Sequence, residues 1–201
     1  MATPGTKSRT RRTRNQTRAQ IIEAAVDLVR ERSYAELNVG EIMDRAGIGR
    51  TIFYRHFDDL GDLMLSAGRE AIEEMFAAQA ALTETGATDA DSIRRAIELA
   101  VGVYSRHGPL LRGVSEAAAS DDLVAPGQEA LRARFDALVA GALREVEAHG
   151  GRRFADVGET ARALNLLNTG YLLDAYGREP RVDPETAVQT LTEIWVAFID
   201  R

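Results

Sequence analysis

Residues 38–57 hold two helix signals so close together that only a tight turn can join them. Asn38 is a favoured N-cap, and Glu41 stands three residues on, where it can reach back to the cap. Val39, Ile42, Met43 and Ala46 repeat at helical spacing and give this short helix one apolar face. Gly47 ends it, because the left-handed conformation that follows a helix costs glycine least. Gly49 then caps a helix predicted over residues 50–57, with Phe53 and Phe57 four apart and turned inward. Two short helices on a glycine turn have the layout of a helix-turn-helix.

The remaining chain reads as helices separated by breakers. Residues 1–16 offer Thr, Arg, Gly and Pro with little to bury, which predicts a disordered basic arm. Thr17 with Gln20 forms a capping box for a helix whose apolar face carries Ile21, Ile22, Ala25, Val26, Leu28 and Val29 and which stops near Ser33. Leu60, Leu63, Met64, Ala67, Ala71 and Met75 mark the next helix, running to about Leu82. Ile93, Ile97, Ala100, Val101 and Tyr104 mark another, expected to end at Gly108-Pro109 and to be followed by a shorter helix over residues 110–119. Leu131, Phe135, Leu138, Val139, Ala142 and Val146 lie on a long helix closed by Gly150-Gly151. Ala161, Leu164, Leu167, Tyr171, Leu172 and Ala175 lie on one closed by Gly177. Asp183-Pro184 opens the last, with Val188, Leu191, Trp195 and Phe198. No alternating strand, repeat or low-complexity tract appears. The expected fold is all-α, a three-helix N-terminal domain plus a larger helical one. Its boundaries are an arm over 1–16, a helix-turn-helix domain over 17–58 and a second domain over 59–201.

Charge first argues against nucleic acid, since 25 basic residues face 31 acidic ones for a net charge of -6. The distribution reverses that reading. Lys7, Arg9, Arg11, Arg12, Arg14 and Arg18 stand in the first 20 residues with no acid among them. A basic head on an acidic body points to an anionic partner for the head. The absence of cysteine removes zinc-thiolate, iron–sulfur and thiol chemistry. No apolar stretch follows the arginines as a signal peptide requires, and no run is long enough to span a membrane. The expectation is a cytoplasmic protein without a membrane partner. His56, His107 and His149 show no metal-ligand spacing, and GxSxG, Walker and GxGxxG sequences are absent. Neither an enzyme, a metal nor a cofactor is expected.

The reading helix of a helix-turn-helix enters the major groove, so it must be short and polar on its outer face. Arg50, Thr51, Tyr54 and Arg55 supply that face, with His56 toward the backbone. Arg50 matches guanine O6 and N7, whereas Tyr54 and His56 suit phosphates. A solvated helix face over core aromatics explains the same residues, and the upstream arginines tip the balance toward DNA. The stretch Asn38-Val39-Gly40-Glu41-Ile42-Met43-Asp44-Arg45-Ala46-Gly47-Ile48-Gly49-Arg50-Thr51-Ile52-Phe53-Tyr54-Arg55-His56-Phe57 resembles the DNA-binding signature of the tetracycline-repressor (TetR) family, over about residues 17–65. The resemblance implies a homodimeric transcriptional regulator, usually a repressor, released from a palindromic operator by a small molecule. Its DNA-binding candidates here are Arg9, Arg11, Arg12, Arg14, Asn38, Gly49, Arg50, Thr51, Tyr54, Arg55 and His56. Two positions depart from the pattern. Gly49 replaces the usual serine, and Leu60 stands where relatives place a phosphate-contacting lysine, among Asp58, Asp59 and Asp62. That lysine contact does not carry over.

Ala163-Leu164-Asn165-Leu166-Leu167-Asn168, followed later by Thr192-Glu193-Ile194-Trp195-Val196, is similar to the EthR branch of the family. The residues themselves put Asn165 and Asn168 three apart on a leucine-lined face. Such amides are satisfied by neighbours or wait for a ligand. The resemblance implies an apolar tunnel for a small hydrophobic effector, with these amides as its polar contacts. It places Tyr104 and Phe135 as aromatic walls, and puts Ile93, Ala100 and Leu173 where the branch has bulkier aromatics. Ile97, Leu111, Leu172 and Trp195 complete the candidate lining. The last two helices would form a four-helix bundle with their copies in a partner. The alternative is an effector-blind regulator whose second half only dimerises.

Overall fold

The computed structural model describes residues 5–83, 89–120 and 125–199, and among them every regular element is helical. In chain order these are α1 (Gly5–Glu31), α2 (Val39–Ala46), α3 (Leu60–Thr83), α4 (Ala90–Ser120), α5 (Ala125–Ala148), α6 (Val157–Gly177) and α7 (Pro184–Ile199). Short 3-10 turns cover Tyr34–Glu36 and Arg50–Arg55. No described helix is long and apolar enough to cross a membrane. Residues 1–4, 84–88, 121–124 and 200–201, and the side chains of Arg9, Arg11 and Arg12, lie outside the described residues.

Two expectations about helix ends are corrected. The first helix begins at Gly5 rather than at Thr17, which is interior, so the backbone of residues 5–16 is not a disordered arm. Apolar periodicity cannot detect this extension because it has no apolar face. Straight-chain Arg, Lys and Gln keep their rotamer freedom in a helix, and lengthening an existing helix needs no new nucleus. The second correction is at Gly108-Pro109, where α4 continues instead of breaking. Pro109 cannot donate to the Ser105 carbonyl, and Arg181 Nη1 donates there instead at 2.9 Å. Continuity beyond the proline is rewarded by burial of Leu110, Leu111, Val114 and Ala117.

That continuity makes α4 the spine of the molecule. Its second half supplies Leu110, Val114 and Ala117 to a core formed with Ile21, Leu28, Met43, Phe53, Phe57 and Leu63. Its first half supplies Ile97, Val101 and Tyr104 to a second core with Leu172, Tyr176, Val188 and Leu191. A third cluster joins Val139, Ala140 and Leu143 of α5 to Ala161 and Leu164 of α6.

Candidate nucleic-acid interface and cavity

The N-terminal site is built on the Asn38 cap. Asn38 Oδ1 accepts the Glu41 amide at 3.0 Å, which fixes the start of α2. The Glu41 carboxylate does not return to the cap; it accepts from Arg32 Nη1 at 3.0 Å and ties α2 to the end of α1. Gly47 closes α2 in the left-handed region, at φ 67 and ψ 30.

From Gly49 the chain makes a 3-10 turn over Arg50–Arg55 rather than the α-helix expected over 50–57. The Ile52 amide donates to the Gly49 carbonyl at 2.9 Å, and the His56 amide to Phe53 at 2.8 Å. Seven residues separate the glycine from the buried Phe57, and the turn closes with i→i+3 bonds until the Phe57 amide reaches the Phe53 carbonyl at 3.1 Å. The sidedness survives this change. Phe53 and Phe57 are buried with ring centroids 5.6 Å apart, while Arg50, Thr51, Tyr54 and Arg55 are exposed, Tyr54 at 61%. His56 is half-buried. Burial first, then the cations of Arg14, Arg18 and Arg55, holds its pKa below the usual 6.5, which favours the neutral imidazole.

Arg14 Nη2 donates to the Arg55 carbonyl at 3.2 Å, so α1 grips the end of the reading turn. Arg18, absent from the candidates above, lies 4.9 Å above the Phe57 ring and donates to Ser66 Oγ at 2.7 Å. Its place four residues after Arg14, on the same helix face, is the signal that marks it. The acids beyond the turn are engaged at the start of α3. Asp59 Oδ1 accepts the Asp62 amide at 2.7 Å, and Asp62 Oδ2 accepts the Asp58 amide at 3.1 Å.

The second site is a cavity of about 360 Å³ lined by α3, α4, α5, α6 and α7. Ile93, Ile97, Ala100, Tyr104, Leu111, Phe135, Asn165, Asn168, Leu172, Leu173 and Trp195 all lie on its wall. Asn165 Nδ2 donates to Asp136 Oδ1 at 2.7 Å, and Asn168 Oδ1 accepts from Trp195 Nε1 at 3.1 Å. Each amide therefore commits one polar group to a neighbour and retains the other. Asp136, 29 residues from Asn165, carries no signal in the periodicity of α5. The Tyr104 hydroxyl bonds to Thr169, and burial pushes its pKa to about 12, so it stays neutral. Phe135 stacks on Phe76 with centroids 4.1 Å apart, and the Arg134 guanidinium lies 4.0 Å from the Phe76 centroid. Leu166, which also borders the cavity, is exposed at 46%; Leu167 and Ile194, outside it, are exposed at 41% and 40% on α6 and α7.

Comparison with known proteins bears on both sites. Residues 21–67 match the family model described as bacterial regulatory proteins, tetR family. The chain is 29% identical over 185 residues to the HTH-type transcriptional regulator EthR of Mycolicibacterium smegmatis, covering 90% of this chain and 85% of that one. It is 27% identical over 183 residues to EthR of Mycobacterium tuberculosis, covering 89% and 85%. Among solved structures it is similar to the TetR family transcriptional regulator PfmR of Thermus thermophilus, with a TM-score of 0.73 and 19% identity, covering 88% of this chain and 97% of that one.

Proposed function

We propose that this chain, a DNA-binding transcriptional regulator of the TetR family, acts as a homodimeric repressor released from a palindromic operator by a small apolar molecule in its C-terminal cavity. It is a regulator rather than an enzyme, as the relatives it matches are. Residues 17–58 form the reading domain and residues 59–201 the ligand-binding and dimerising domain. Residues 1–16, helical from Gly5, serve as a basic extension toward DNA rather than as a free coil. Arg50 reads a base edge with Thr51 beside it, and Tyr54, Arg55 and His56 contact phosphates. Asn38 and Gly49 present helix-start backbone, and Arg9, Arg11, Arg12 and Arg14 neutralise phosphates along the arm. The repressor works in the cytoplasm, where its operator lies.

The observation that carries the ligand half of this reading is the convergence of the whole candidate lining on one cavity. Its walls are mainly aliphatic and aromatic, with Asn165 and Asn168 offering polar groups to a carbonyl or amide on the ligand. Because α3 starts at Leu60, directly after the reading turn, an occupant that reorients α3 or α4 swings the head that precedes it. Two heads held at the wrong separation cannot enter successive major grooves together. Linkage then requires operator DNA to weaken the ligand by the factor by which the ligand weakens DNA.

Mobility shifts on fragments from the gene's own upstream region test the DNA half, and a specific shift is expected. A thermal-shift screen with lipophilic compounds tests the cavity. Stabilising hits that also lower operator affinity support a ligand-released repressor. A cavity that accepts none leaves the effector-blind dimer as the function.

A further inference from the structure

Arg112 joins the two halves of the molecule, and neither the DNA face nor the cavity lining accounts for it. Its side chain is only 11% exposed. Nε donates to the Gly177 carbonyl at 2.9 Å, and Nη1 to Glu116 Oε1 at 2.6 Å. Nη2 donates to the carbonyls of Val29 at 2.8 Å and Arg32 at 3.1 Å. Gly177 is the last residue of α6, and Val29 and Arg32 bracket the end of α1. Both helix ends carry unpaired carbonyls and partial negative charge, and one planar guanidinium serves the two at once. Glu116 balances that cation, and its Oε2 accepts the Tyr34 amide at 2.7 Å.

The surrounding packing leaves little slack. A Cβ on Gly108 would lie 2.2 Å from the Tyr176 carbonyl oxygen, so α4 presses directly on the end of α6. A Cβ on Gly113 would lie 2.8 Å from Met64 Cε and 3.2 Å from Val29 Cγ1, so the same stretch presses on the DNA-reading half. Leu111 and Ser115, interleaved with Arg112 and Glu116, line the cavity, as do Leu172 and Leu173 one turn before Gly177. Beyond α1, contacts continue to α2 through Arg32–Glu41 and Arg45–Glu31, both at 3.0 Å.

We propose that Arg112 is the positioning residue that couples occupancy of the cavity to the orientation of the reading head. The proposal rests on the ligand-released reading above. An occupant that spreads Leu111 away from Leu172 and Leu173 separates Gly177 from the stretch of α4 that carries Arg112. Hydrogen bonds are lost over shifts of about 1 Å. The guanidinium then keeps either the α6 end or the α1 end, and the register between head and body changes.

The test is a double-mutant cycle on the full-length protein that needs no known ligand. Ala142→Phe places a ring in the cavity wall, and weakened binding of 1-anilinonaphthalene-8-sulfonate reports that the ring occupies the space. In the otherwise unchanged protein, Ala142→Phe should lower affinity for the selected upstream fragment by about tenfold. In Arg112→Met and, separately, Arg112→Lys backgrounds, the same substitution should cost less than about threefold, each background serving as its own baseline. A single ammonium cannot serve both helix ends, so the lysine variant retains the charge while testing the bridge. Circular dichroism checks each fold, and should Arg112→Met not fold, the lysine background alone decides. An equal loss in every background overturns the coupling role while leaving the ligand reading standing. No loss in the unchanged protein, with the dye excluded, overturns the ligand reading and the coupling role with it.

Discussion

Arg50 and Tyr54 share the outer face of the Arg50–Arg55 turn, yet their chemistries set different tasks. A guanidinium presents a fork that fits guanine O6 and N7, while a phenol presents one hydroxyl that any phosphate satisfies. Arg50→Ala is therefore expected to relax preference at one operator position, at about 1–3 kcal/mol for the favoured base. Tyr54→Phe should weaken all sequences alike. Binding-site selection with each variant separates the outcomes, and uniform weakening by Arg50→Ala would remove it from base reading. Two glycines show a similar contrast in packing. Gly49 has nothing within 4 Å of an added Cβ and an ordinary φ of -62, so serine there should be neutral or gain a cap. Gly108 has no such room beside Tyr176, and Gly108→Ala should cost about 1–3 kcal/mol, read as a lower melting temperature. An unchanged melting temperature would show that α4 and α6 can part there. The sequence marks both as turn glycines, because composition cannot distinguish a glycine that turns the chain from one that lets two helices touch.

At the scale of elements, what the sequence discloses depends on whether a helix has an apolar side. The faces of α2, α3, α5, α6 and α7 are readable because burial repeats every three or four residues. The first turns of α1 are not, since residues 5–16 have nothing to bury, and α4 is misread at Pro109 because its missing donor is replaced from Arg181. The cavity wall follows from a family pattern laid on these faces. The partners that fix it, Asp136 for Asn165 and Arg112 between α1 and α6, are long-range hydrogen bonds that no local spacing encodes. The helical α1 also changes what the arm does. From Gly5 its backbone is a continuous helix, anchored by Arg14 at the Arg55 carbonyl and Arg18 at Ser66. Deleting residues 1–14 should therefore flatten the dependence of log K on log salt by about 0.9 for each phosphate contact removed. Measuring affinity across a salt series checks this, and an unchanged slope would take the arm out of the interface.

At the scale of the whole molecule, the charge of -6 is two opposed fields. Through Arg69 the chain holds 12 basic and 9 acidic residues, and beyond it 13 and 22. A body of that sign is repelled by DNA while the head is attracted, so the field favours approach head first. On the proposed reading, tight operator binding comes from two heads held by a shared body. The exposed Leu166, Leu167 and Ile194 on α6 and α7 are the apolar surface on which a second copy would close. A charge introduced there should separate the subunits without disturbing the cores, because these side chains lie outside all three buried clusters. Leu167→Glu combined with Ile194→Glu is thus expected to give a folded monomer by light scattering at micromolar concentration. That monomer should retain weak, salt-sensitive binding to any duplex and lose most of its preference for the operator. A dimer that persists through both substitutions would mean that the copies meet elsewhere. A monomer that still prefers the operator would mean that one head and its arm suffice.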